Sequence, residues 1–172
     1  MNPVKNATPA PNLESLAQRP NLQLAQAGSI VIGKFGASTS IEDLEVLGQH
    51  QLAVAGRSGP ITMISLVPVD GSVGRISDDV RQKSVEIMTK LGKSCIGSAT
   101  VVLGSGLGAT VVRMFLTGFS LVSRTPYPQK AFSSVRDALV WAQQLPEQNV
   151  AAKQLTSDAV VKHFGLKDHQ TP

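Results

Sequence analysis

The chain has 172 residues, is 42% hydrophobic and 16% charged, carries a formal net charge of +4 and contains a single cysteine. That length accommodates one core but not two, and the apolar share excludes disorder throughout. One cysteine excludes an intramolecular disulfide and a multi-cysteine metal cluster. No apolar run reaches membrane-spanning length and no hydrophobic stretch follows Lys5, so a soluble, cytoplasmic protein without membrane insertion or secretory signal is expected.

Residues 1–20 combine Pro9, Pro11 and Pro20 with Asn, Ala and Gln and have no period, which predicts a flexible arm. From Leu22 the chain alternates, pauses at Ala27-Gly28 and continues as an apolar run from Ser29 to Phe35, the pattern of a two-stranded hairpin. Ser40 is an N-cap candidate with Glu42 and Asp43 in the first turn, and Ile41, Leu44, Leu47 and Val54 outline a helix that stops near Gly56. Ile61–Val67 reads as a strand closed by Pro68, and Val69 to Ile76 as a loop. Ser77 with Asp78 and Asp79 opens a second helix, in which Val80, Ser84, Ile87, Met88 and Leu91 share a side, ended by Gly92.

Ile96–Leu103 has few polar atoms and reads as a buried central strand. Glycines 104, 106 and 108 turn the chain into an apolar helix over 109–117, followed by a strand over 119–123. Tyr127 lies between Pro126 and Pro128 in a stiff, extended connection. Ser134 and Asp137 suggest a capping box, with Ala138, Leu139, Ala142 and Leu145 as the apolar side of a helix ended by Pro146. A tail with weaker helical content over 157–164, stopped by Gly165, completes the chain. The order ββαβαβαβα, built largely from Val, Leu, Ile and Ala, predicts an α/β domain over 21–145. It would hold a single mixed, mostly parallel sheet with flanking helices, an arm over 1–20 and a tail over 146–172.

A hairpin followed by alternating helices and strands resembles the STAS fold of SpoIIAA-like anti-sigma-factor antagonists, over roughly residues 21–145. Val101 to Gly106, Arg113 to Gly118, Arg124, Pro126, Phe132 to Val135 and Ala138 to Trp141 are similar to the second half of a group of bacterial STAS/SEC14-like proteins of unknown function. The resemblance implies a non-enzymatic regulatory or protein-interaction module. It also implies a switch by phosphorylation of a serine at the start of the helix that follows the central strand. The corresponding stretch here runs from Asp70 through Ser72 and Arg75 to Ser77, with Gly71 where the family's pattern has its first serine.

Four residues follow from that implication as a partner-binding or phosphorylation region: Asp70, Ser72, Arg75 and Ser77. A phosphate on Ser77 would gain from the helix dipole and face repulsion from Asp78 and Asp79, and the same serine serves equally as an ordinary N-cap. Ser72, flanked by glycine, suits a plain turn.

An alternative reads Gly104, Ser105, Gly106 and Gly108 as a phosphate cradle for a small molecule or an NADP-like nucleotide. Gly104, Gly106 and Ala109 satisfy GxGxxA between a strand and a helix, with Arg113 and Arg124 as anion partners. A Rossmann domain would place this unit first with more strands behind it, and close helix–strand packing explains the same glycines. A third possibility, from the SEC14-like label, is a lipid pocket walled by Val111 to Leu116.

Lys90, Lys93, Arg113, Arg124, Lys130 and Arg136 fall in a stretch without acidic residues, yet no aromatic interleaving or RNA-binding signature accompanies them, so nucleic acid is not expected. His50, His163 and His169 lack metal-ligand spacing, and Cys95 reads as a small core residue. Tyr127 and Trp141 suit either an exposed contact surface or core packing. No cofactor, metal or catalytic group is expected; an unidentified protein partner is, and a homodimer stays open.

Overall fold

The structure is a computed structural model that describes residues 12–69, 77–104, 106, 109 and 125–167. The hairpin forms as its alternation demands: β2 (Leu22–Ala27) pairs antiparallel with β3 (Ile30–Phe35), from Leu22 opposite Phe35 to Ala27 opposite Ile30. Gly28 takes the first position of the two-residue turn at φ 57°, a conformation that costs glycine little.

The arm expected before residue 20 is corrected over Glu14–Arg19, which form an edge strand, β1, antiparallel to β2. Such a strand needs one partner's backbone groups and buries little, so it carries no apolar period to read. A bulge between Ser15 and Ala17 turns both Leu16 and Ala17 toward the core, and Arg19 Nε meets the Asp43 carboxylate at 2.5 Å.

Ser40 caps α1 (Ile41–Ser58) in a reciprocal capping box with Asp43. The helix passes Gly56 and stops at Gly59. β4 (Ile61–Pro68) runs parallel to β3 and to β5 (Cys95–Leu103), with α2 (Asp78–Leu91) and the short 3-10 turn Gly92–Ser94 between β4 and β5.

The strand expected over 119–123 and the helix over 109–117 lie outside the described residues, apart from Ala109, which is helical and buried. The next described strand is β6 (Gln129–Phe132), parallel to β5. Its four residues lie in the segment read as a stiff connection, because a strand so short shows no alternation of its own.

The six strands lie in sequence order, β1 to β6. Parallel neighbours joined by right-handed crossovers send successive helices to the same face. Accordingly Leu44, Leu47 and Val54 of α1 and Ile87 and Leu91 of α2 pack with Leu24, Val31, Ile61 and Met63 on one face. Because side chains alternate along a strand, Ala25, Ile30, Ile32, Ile64 and Val101 point the other way. There they meet Ala138, Leu139 and Ala142 of α3 (Val135–Gln144).

The core continues past Leu145, where the sequence had placed its end. α4 (Val150–Gln154) and α5 (Ser157–Phe164), the latter stopped by Gly165 as expected, bury Ala152, Leu155, Val160, Phe164 and Leu166 in the same cluster as Ile30 and Ile32. Helices of five and eight residues have too few turns for the period that would announce this packing. Their caps carry the local signal: Asn149, Thr156 and the left-handed Gly165 at φ 59°.

Candidate functional site

In open parallel sheets the carboxyl ends of the strands are where backbone groups and helix N-termini converge, so loops there are the first place to look for a site. β4 and β5 end side by side: Pro68 pairs with Leu103, and Val69 N–H donates to Leu103 O at 3.1 Å. The two segments singled out in the sequence, one beginning at Asp70 and the other at Gly104, therefore depart from one end of the sheet.

Gly104 has φ 153°, and a Cβ there would stand 3.4 Å from the Val69 Cβ; Gly106 has φ 90°. Both conformations are ones that residues with side chains rarely adopt. At Gly104 the space beside Val69 would accept a Cβ in ordinary contact, so the backbone conformation alone is what favours glycine there.

Ser77 is exposed at the start of α2; its Oγ accepts from Val80 N at 3.4 Å and its carbonyl from Arg81 N at 3.0 Å. Asp78 and Asp79 beside it are also exposed, and Asp78 contacts Arg81 at 3.4 Å. Asp70, Ser72, Arg75, Ser105, Gly108, Arg113 and Arg124 lie outside the described residues, as does the Val111 to Leu116 wall of the lipid reading.

α2 is thinly packed. Of its fourteen residues only Ile87 and Leu91 are buried, so the first nine, Asp78 to Glu86, bury none, and Val85 stays 43% exposed. Lys83 reaches across to Glu45 of α1 at 3.0 Å and to Glu86 at 3.3 Å, while Lys90 meets Glu86 at 2.7 Å. The hydrogen bond to Glu45 holds the Lys83 ammonium above its ordinary pKa, and the Lys90 contact holds Glu86 below its own.

Sequence reasoning missed a shallow groove of about 300 Å³ between α1 and α2, with Gly48, Leu52, Ile87 and Leu91 among its lining. The available signal was Gly48 inside a helix: a Cβ there would come within 3.3 Å of Ile87, so the small residue sets the approach of the two helices.

The aromatic candidates resolve toward the core. Tyr127 is 6% exposed and packs in the α1/α2 cluster with Cys95, which corrects the exposed-contact reading for this residue. Burial pushes the Cys95 thiol up to about 11 and raises Tyr127 as well. Trp141 lies against Phe132 with ring centroids 5.7 Å apart, and its indole sits over Gly97, where a Cβ would come within 3.0 Å of the ring. Among the described residues, no group of three or more His, Cys, Asp or Glu is arranged to hold a metal ion, and no helix is long and apolar enough to cross a membrane.

No family model matches the chain, and no curated protein matches it. A solved structure does: an uncharacterized protein from the DUF3478 family with a SpoIIAA-like fold, from Shewanella loihica PV-4, at a TM-score of 0.51 and 18% identity. The match covers 73% of this chain and 99% of that one. An identity so low speaks to architecture alone. With one mixed six-stranded sheet, helices on both faces and this structural match, the chain has a SpoIIAA-like, STAS-type α/β fold.

Proposed function

We propose that this chain is a non-catalytic regulatory module that binds a protein partner. Its contact surface would be the exposed first half of α2 with the neighbouring carboxyl ends of β4 and β5. The observation that carries the reading is the thin packing of α2: two buried residues in fourteen, against six in the eighteen of α1. A crossover helix that contributes so little to its own core keeps Val85 and a run of charged side chains available to another surface.

Ser77 is the modifiable position within that surface, with Asp70, Ser72 and Arg75 in the preceding loop. A phosphate on Ser77 would lie at the N-terminus of a fourteen-residue helix, favoured by the dipole and opposed by Asp78 and Asp79, and Arg81 would be its nearest cation along the helix. Modification would thus exchange the Asp78–Arg81 contact for one to the phosphate, altering the charge a partner meets.

The test is affinity capture with the full chain as wild type, Ser77→Glu and Val85→Asp, quantified by mass spectrometry against a bait-free control. A partner retained by wild type and lost or exchanged with both variants supports the proposal. Three identical partner lists, or none, count against it.

A second reading has one observation on its side: Gly104 and Gly106 both hold glycine-favouring conformations, as loops that aim backbone N–H groups at an anion do. A thermal-shift series with nucleotides and inorganic phosphate separates the two. A ligand at a hundred times its dissociation constant stabilises by about 2.7 kcal/mol, so a clear shift would move the function to the glycine loop, and silence would retire that reading.

A further inference from the structure

We propose that residues 146–166 form an exchangeable strap, through which two copies of this chain assemble into a reciprocal dimer. Each copy would place its strap on the other's sheet. The Gln148 anchor lies at the amino ends of β3 and β4 and the Phe164 contact reaches Lys34 near the carboxyl end of β3, all on the face of the sheet opposite α2, so the two proposals stand or fall separately.

The strap behaves as a ligand of the sheet. Ser29 Oγ donates to Gln148 Oε1 at 2.8 Å and Gln148 Nε2 donates to Thr62 Oγ1, while Lys34 Nζ reaches Phe164 O at 2.9 Å. Ala152, Leu155, Val160, Phe164 and Leu166 complete an apolar cluster with Ala25, Ala27, Ile30 and Ile32. A second copy presents the same acceptor face, so every one of these contacts can form between chains as well as within one.

The balance between the two arrangements then rests on the hinge, which consists of Pro146 and Glu147 between α3 and the Gln148 anchor. Glu147 is the one non-glycine residue with positive φ among the described residues, at 67°. A left-handed residue bearing a side chain is strained, and short strained hinges favour exchange because extending the hinge relieves the strain while the docked contacts are kept. Two exposed apolar side chains flank this hinge, Val140 on α3 at 47% and Val150 on α4 at 69%, the latter the highest exposure among the described large hydrophobic residues. Hinges this short hold two exchanged bodies close together, and the surface around Val140 and Val150 is what they would bring into contact.

The experiment refolds the full chain from denaturant at high concentration and measures its mass by size-exclusion chromatography with light scattering. Wild type is expected to give a dimer alongside the monomer. Glu147→Gly, which removes the strain at both hinges, should weaken the dimer about thirtyfold. Ser29→Cys and Gln148→Cys, carried on separate chains and refolded together, should yield a disulfide-linked heterodimer, since those side chains touch only across the strap contact. Monomer at every concentration, a dimer unaffected by Glu147→Gly, or a dimer that forms no such disulfide would each overturn the proposal.

Discussion

Gln148→Ala tests the anchoring of the C-terminal helices most directly. Gln148 is 6% exposed and bridges the hydroxyls of Ser29 and Thr62, both fully buried, so truncation leaves two hydroxyls without that partner where water does not reach. An unsatisfied buried polar group costs about 1–3 kcal/mol, which makes the expected loss about 2–6 kcal/mol for the pair. At about 2–4 °C per kcal/mol for a domain of this size, the melting temperature should fall by roughly 4–24 °C.

The assay is urea and thermal unfolding followed by circular dichroism and by the fluorescence of Trp141, the single tryptophan, which sits on α3, the helix that precedes Gln148. The triple variant Ser29→Ala/Thr62→Val/Gln148→Leu removes the side-chain donors and acceptors together, leaves only the half-buried Asn149 N–H without its Ser29 Oγ acceptor at 3.4 Å, and should therefore lose clearly less than Gln148→Ala. A Gln148→Ala variant as stable as wild type, or a triple variant as damaged as the single one, would refute the reasoning that satisfaction of buried hydroxyls anchors these helices.

Gln51 is 3% exposed and its side-chain oxygen has no hydrogen-bond partner among the described residues, so Gln51→Met should raise stability by about 1 kcal/mol in the same urea titration; a loss would contradict this. Burial pushes the Asp43 carboxyl up, but the hydrogen bonds from Ser40 and Arg19 outweigh it and hold the pKa below its ordinary value. A carboxylate depressed in the folded state contributes stability above its unfolded pKa and loses it as pH falls through the folded one. The advantage of wild type over Asp43→Asn should therefore be full at pH 7 and shrink below about pH 4, measured by unfolding across pH. With its thiol pushed up to about 11 and buried, Cys95 should react with iodoacetamide at pH 8 only as fast as the fold opens; labelling at the rate of a free thiol without denaturant would contradict that placement.

How much of the site was legible follows from the same physics. Ser77 was readable as a cap because a helix start leaves backbone N–H groups that a serine oxygen satisfies locally. The glycine turn after β5 was readable because Gly104 and Gly106 tolerate conformations that other residues resist. Their relation was not, since the contact of Val69 with Leu103 joins residues 34 positions apart and depends on the register of two strands. The groove at Gly48 and the burial of Tyr127 are likewise products of packing between elements remote in the chain.

Local patterning by itself determined the α/β class, the β2–β3 hairpin, the capped starts of α1, α2 and α3, and the central strands, because helix and strand periods and cap chemistry act within a few residues. Tertiary structure alone decided that Glu14–Arg19 and Gln129–Phe132 are the outermost of the described strands, and that α4 and α5 close the second face of the sheet. Edge strands and short helices gain their stability from neighbours already in place, so their own residues carry little sign of it.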